Sequence, residues 1–209
     1  MTARTTSARI RIPDEAGRWL LPTARQAITA AVTPDQDPPR QPVPGWAEQP
    51  GACFVTLTVR EDTGHQEKAS QQHRPERLRG CIGTLTAWRR LSEDLPANAV
   101  AAATRDPRFP PVRAEELAGL RVEVSVLSPG VPIDATGEQD LRSRLRPGVD
   151  GLILRWRDHR GTFLPQVWAQ LPDPRSFLDQ LKVKAGLPVS WWSDDAVVER
   201  YTVDSWQEQ

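Results

Sequence analysis

The sequence predicts an α+β protein with a mostly antiparallel sheet flanked by helices. Residues 53–60 and 120–127 alternate apolar and polar side chains with the period of two that a half-buried strand requires. Other stretches repeat apolar residues at spacings of three and four, the signature of one buried helical face. Strands arrive both as hairpins and separated by helices, and no βαβ alternation is sustained, which argues against a doubly wound parallel sheet. A chain of 209 residues makes one large domain or two closely joined lobes, and it buries a core without metal or disulfide staples.

In chain order, residues 1–13 form a disordered tail, rich in Thr, Ser and Arg. Asp14 and Glu15 open a helix with Trp19, Leu20, Ala24, Ala27, Ile28, Ala31 and Val32 on its buried face. Pro22 either kinks that helix or stands in the first turn of the main one, where proline is tolerated. The Pro-rich stretch 33–51 is an extended surface connection, with Trp46 as an anchor against the body. In the strand that follows, Cys53, Val55, Leu57 and Val59 share one face, and Phe54, Thr56, Thr58 and Arg60 the other. Residues 61–76 form a polar loop, and residues 78–85 the next strand, so the two strands pair as a long-looped antiparallel hairpin.

Ser92 is expected to cap a helix that runs to about Arg105, with Glu93 and Asp94 suiting its positive end and Pro107 stopping it. A stiff loop at 106–111, a short helix at 113–118 and the strand 120–127 come next. Residues 137–146 are weakly helical. Residues 151–157 and 162–168 make a second hairpin around a turn at 158–161, with Pro165 placing the last strand at an edge or a bulge. A helix at 174–186 has Pro174 near its start and Gly186 as its C-terminal cap. Trp191 and Trp192 form a plug, and residues 196–206 a closing strand.

Composition narrows the function. The 27 basic residues balance 27 acidic ones, which argues against a general nucleic-acid binder. The two cysteines, Cys53 and Cys81, lie in separate apolar runs, and His65, His73 and His159 are scattered, so no zinc site and no cofactor are expected. Without a signal peptide or an apolar run of about 18 residues, the expectation is a cytoplasmic protein with reduced thiols and no membrane contact.

The stretch Leu78-Arg79-Gly80-Cys81-Ile82-Gly83 carries the chemistry. Glycine in a strand marks a bulge or a close backbone approach, and two of them flank a thiol here. In a regular strand Arg79 and Cys81 share a face, and a nearby guanidinium favours the thiolate. Gly80 and Gly83 would let a ligand approach, with their N–H groups open to an oxyanion. Together these features describe a nucleophilic cysteine that lacks an evident base; Glu123 serves as one if its strand lies beside the motif. The other readings are a thiol that lines a site and a small buried residue packed among glycines. Cys53, on an apolar face, reads as structural. Asp106 and Arg108 either bind an anionic ligand or hold their own loop, and Gln166 lines a pocket.

Six segments together resemble one family, the AMMECR domain, also called protein A of the AmmeMemoRadiSam system. They are LRGCIGTL at 78–85, DPRFPPV at 106–112, VEVSVLSP at 122–129, RPGVDGLIL at 146–154, FLPQVW at 163–168 and KAGLP at 184–188. The resemblance covers residues 14–206. It implies a single domain in two unequal lobes with a cleft near the cysteine motif, and companions that are Memo-like and radical SAM proteins. It supplies no settled reaction. The chain departs from the family pattern at Lys182, where cysteine is frequent, and its 33–51 and 61–76 segments are long. The expected activity is that of a small enzyme or enzyme subunit acting through Cys81 on a small molecule. The alternative is a non-catalytic adaptor that presents the Arg-Gly-Cys-Ile-Gly backbone to a partner or ligand.

Overall fold

The computed structural model describes residues 12–33, 35, 41–60 and 76–209. The expected tail, apart from Ile12 and Pro13, and the 61–75 part of the polar loop lie outside the described residues. The fold is α+β, and the chain divides into two compact units, 1–127 with 204–209, and 128–203.

The first unit is a four-stranded sheet packed on two helices. Helix α1 (Gly17–Val32) buries Trp19, Leu20, Ala24 and Ile28, and it continues through Pro22. A short 3-10 turn, Asp14–Ala16, precedes it. Within the Pro-rich stretch, Gly45–Glu48 form another 3-10 turn, and Trp46 meets Trp19 edge-on at 5.6 Å, which anchors the connection as expected. Strand β1 (Ala52–Arg60) pairs antiparallel with β2 (Glu76–Gly83) on one side and with β3 (Leu120–Leu127) on the other. The sheet order is β2-β1-β3-β8, with β8 spanning Val203–Gln207.

Alternation decides which face is covered. Cys53, Val55 and Leu57 of β1 and Val122, Val124 and Val126 of β3 are buried in one core with Leu91, Leu95 and Ala99 of helix α2 (Leu91–Thr104). Each such aliphatic side chain removed from water contributes ~1.5–3 kcal/mol. Helix α2 begins one residue before Ser92: its N-cap is Arg90, which makes no side-chain capping bond. The start is set instead by the neighbouring chain, since Leu91 N–H donates to the Gln49 carbonyl at 2.9 Å and Pro50 bridges to Arg90.

The second unit holds the sheet β4-β7-β5-β6, with β4 at Val131–Pro132, β5 at Gly151–Trp156, β6 at His159–Phe163 and β7 at Val197–Tyr201. The hairpin β5–β6 is antiparallel, and β6 is the edge strand. It stops at Phe163. Pro165 opens a 3-10 turn, Pro165–Ala169, in place of the predicted strand, because proline suits the first position of a helical turn. Helix α3 is Glu138–Arg144 and helix α4 is Pro174–Lys184. Asp173 caps α4 by accepting from Ser176 N–H. At its other end Gly186, at φ +78°, lets its own N–H reach the Val183 carbonyl and that of Leu187 reach Lys182, the paired bonds of a Schellman cap. Phe177, Leu178 and Leu181 of α4 pack with Leu152, Leu154 and Trp168, the last stacked on Phe177 at 3.8 Å.

Lys182 is fully buried, and its Nζ lies 2.5 Å from Glu138 Oε1 and 2.9 Å from the Val189 carbonyl. A buried ammonium needs such partners, and this ion cluster holds α3 to α4. The predicted closing strand is split at Thr202: its first half is β7, in the second sheet, and its second half is β8, in the first.

Candidate functional site

Strand β2 is the edge of the first sheet and carries the cysteine motif. Its register against β1 shifts: Gly80 faces Leu57 and Leu78 faces Thr58, so Arg79 is left without a partner in β1. A bulge of this kind breaks the two-residue alternation. It therefore overturns the simple expectation that spacing alone puts Arg79 beside the thiol. The Arg79 guanidinium is buried and forked onto Glu116, with Nε to Oε1 at 2.7 Å and Nη2 to Oε2 at 3.0 Å. Nη1 and Nη2 also donate to the carbonyls of Pro110 and Pro111. Arg79 holds the Glu116 carboxyl below its ordinary range. These bonds tie β2 to the proline-stiffened segment after α2.

The glycines are occupied by packing. A Cβ on Gly80 would lie 2.2 Å from the Ala102 carbonyl oxygen of α2, so glycine is what lets helix and sheet approach there. A Cβ on Gly83 would lie 2.2 Å from the Phe54 ring, its cross-strand partner.

Cys81 stands on the sheet face opposite the helices. It faces Thr56, whose Oγ1 donates to Sγ at 3.3 Å. Thr56 in turn faces Glu123 of β3. Thiol, hydroxyl and carboxylate thus form one row across three strands. Glu123 lies on β3, with β1 between it and the motif, about 10 Å of backbone from Cys81 at two strand spacings. Its Oε1 accepts from Ser125 Oγ at 3.3 Å, and Ser125 Oγ is 2.8 Å from Ser205 Oγ of β8. All three members of the row are half-buried.

The outer edge of β2 at Cys81 is closed by the loop after α2. Asp106 Oδ2 accepts the Cys81 N–H at 2.8 Å, and Arg108 Nη2 donates to the Cys81 carbonyl at 3.2 Å. Asp106 and Arg108 are themselves joined by a fork, Nε to Oδ1 at 2.9 Å and Nη2 to Oδ2 at 2.7 Å. Asp106 is buried, whereas the Arg108 side chain is 53% exposed. Arg108 and the Cys81 and Arg108 N–H groups hold the Asp106 carboxyl well below the usual carboxylate range. Asp106, and to a lesser degree Cys81, raise Arg108 above its ordinary value. The loop-holding reading of this pair is what the geometry displays, and it pins the backbone of the cysteine.

Gln166 is exposed in the 3-10 turn of the second unit. Among the described residues no group of three or more His, Cys, Asp and Glu is placed to hold a metal ion, and no helix is long and apolar enough to cross a membrane. Sequence reading missed Thr56 as a site residue. Its signal was present in the alternation of 53–60, but only the register of β2 against β1 brings the hydroxyl to the sulfur.

The chain is 40% identical to a protein of Thermococcus gammatolerans over 95% of its length and 93% of that protein. It is 37% identical to Protein PH0010 of Pyrococcus horikoshii, again over 95% and 93% of the two chains. The crystal structure of PH0010, described as an uncharacterized protein, matches the fold with a TM-score of 0.74 at 35% identity, covering 95% of this chain and 94% of that one. The AMMECR1 family model matches residues 21–206, which take in the Cys81 strand, the Asp106–Arg108 loop and both sheets, and the chain belongs to the AMMECR1 family.

Proposed function

We propose that this AMMECR1 protein is a small cytoplasmic enzyme, or enzyme subunit, whose reactive group is Cys81. The row Cys81–Thr56–Glu123 on the polar sheet face carries the reading. The sulfur is half-buried rather than sealed, a hydroxyl donates to it, and Asp106 and Arg108 fix its backbone. The Cys81 thiol adds across a polarised C=O or C=C bond of a small-molecule ligand: the S–C bond forms as the π bond opens, and the thiol proton ends on the atom that receives the π electrons, so no group leaves. Companions of the Memo-like and radical SAM types supply or consume that ligand.

Alkylation by iodoacetamide, followed by mass spectrometry, tests the thiol. Cys81 is expected to react faster in the folded protein than in the unfolded chain, and Arg108→Ala to slow it. Equal rates in folded and unfolded protein rule the activated thiol out. Full in vivo function of Cys81→Ser would do the same for the nucleophile.

One observation favours the adaptor reading. Trp88 is 68% exposed, with the Arg89 guanidinium 4.6 Å from its ring centre. Its segment is held by the buried Asp94, which accepts from Thr84 Oγ1 at 2.8 Å and Arg89 Nε at 2.9 Å. A rigidly displayed Trp beside Arg is the composition of a binding hot spot. If Trp88→Ala loses capture of a companion protein while Cys81→Ser retains both capture and function, the chain acts as an adaptor.

A further inference from the structure

The second unit contains a cavity of about 270 Å³ that the Cys81 reading does not use. It opens between the segment after β4, helix α3 and the turn that leads into β7. The buried side chains Ile133, Leu141 and Val198 give it apolar walls. Ala135, Thr136, Ala196, the Trp192 indole and the Asp194 carboxylate complete the lining. Trp192 Nε1 donates to Asp194 Oδ1 at 3.2 Å, so the ring and the charge are held side by side.

The charge balance of this cavity is one-sided. Asp194 is the one charged side chain of its lining, and among the described residues it forms no ion pair. The neighbouring acid Asp140 is already matched: it accepts from Thr136 N–H and Oγ1 and from Arg144 Nε at 2.9 Å. An anion would therefore meet an unneutralised carboxylate here, and a neutral apolar ligand would leave that carboxylate unused. A cation gains from it twice, through the carboxylate and through the electron-rich face of an indole. The volume lies just under the range of drug-sized pockets, which limits the occupant to a few carbons.

We propose that this cavity binds a small organic ammonium ion, its alkyl body against Ile133, Leu141 and Val198 and its charged head on the Asp194 carboxylate beside the Trp192 ring. The site is independent of Cys81 and requires no chemistry there.

The probe is n-butylammonium, compared with 1-butanol and butyrate as a neutral and an anionic control of similar size. The readout is the indole N–H resonance of Trp192 in the full chain, identified by its absence in Trp192→Phe. Butylammonium is expected to shift this resonance saturably at concentrations on the order of 10 mM. Asp194→Asn keeps the shape, removes the charge, and is expected to weaken binding by about three- to fivefold, with 1-butanol and butyrate weaker by at least that factor. Asp195→Asn, which changes an exposed neighbouring charge outside the lining, is expected to leave binding within about twofold. The proposal is overturned if butylammonium gives no saturable shift, or if butanol or butyrate binds as well. Equal losses in Asp194→Asn and Asp195→Asn overturn it too, because they reduce the effect to diffuse surface charge.

Discussion

Cys53 and Cys81 lie on neighbouring strands of one ribbon, and they stand on opposite faces of it. Cys53 is completely buried beneath α2, its sulfur 3.4 Å from Asp94 Oδ2 and 3.6 Å from Asn98 Nδ2. Burial pushes the Cys53 thiol well above its ordinary value, and the negative charge of Asp94 adds to the rise. Cys81 is half-buried on the polar face, with a hydroxyl donor at its sulfur and a guanidinium on its carbonyl. The same residue type is an inert packing group on one face and a chemically addressable one on the other. The face is set by the parity of the strand register, and the contrast can be broken from either side.

The largest effect is expected from the buried side. Asp94 is fully buried and accepts from the Cys53 N–H and from Asn98, Thr84 and Arg89. Asp94→Ala leaves those donors unpaired and is expected to cost ~3–5 kcal/mol in urea denaturation. The same change opens the core around Cys53, so Cys53 alkylation under native conditions should rise towards that of Cys81. An unchanged Cys53 rate in a destabilised protein would mean that helix packing alone shields the thiol.

Gly80→Ala tests the other strand. With Ala102 backbone 2.2 Å from the new Cβ, β2 and α2 must separate, at a cost of ~1–3 kcal/mol. The displacement falls one residue from Cys81 and is expected to change its alkylation rate while leaving Cys53 protected. A melting temperature equal to wild type would show that β2 is free to move away from the helix.

These two sites also mark what was legible in the sequence. Cys53 was placed correctly from alternation alone, because β1 has one buried face and a period of two encodes it. The environment of Arg79 was not legible, because a bulge is a property of two strands and only one of them is local. The split of residues 196–206 at Thr202 was hidden for a similar reason. Apolar residues recur on both sides of Thr202, as Val198 and Tyr201 before it and Val203 and Trp206 after it, and the boundary is made by distant Ser128, whose Oγ accepts Thr202 N–H and whose N–H donates to the Thr202 carbonyl. Helix α4 was legible from its sequence, since Pro174 at its start, the apolar spacing along it and Gly186 just past its end are all local. The proline-stiffened loop at 106–111 was visible as a loop, but its grip on the Cys81 backbone crosses 25 residues of chain and left no local mark.

That grip has a pH signature. The Asp106 carboxyl is depressed in the folded protein, chiefly by Arg108 and with help from the Cys81 N–H. Between its folded and unfolded values the unfolded chain binds the extra proton. The stabilisation is therefore complete above about pH 4, the ordinary Asp value, and is lost as pH falls through the folded one. Asp106→Asn keeps an acceptor for Cys81 but loses the charge. Its stability deficit against wild type, followed by urea denaturation, should be constant near neutrality and shrink below about pH 4. A deficit independent of pH down to acid unfolding would mean that the ion pair contributes nothing beyond its shape.

The smallest expected effect sharpens the comparison most, because it separates a reactive cysteine from a packed one. Cys53→Ser places a hydroxyl in an apolar core, and although Asp94 and Asn98 can receive it, the lost volume should cost ~1 kcal/mol. Cys81→Ser lies on the half-buried polar face, where Thr56 can donate to oxygen as it does to sulfur, so stability should stay within ~0.5 kcal/mol of wild type. Loss of function in a variant that remains this stable can then be assigned to sulfur chemistry. If Cys81→Ser instead destabilises as much as Cys53→Ser, both thiols are packing groups, the two faces of the ribbon are equivalent, and the site must be sought elsewhere on the chain.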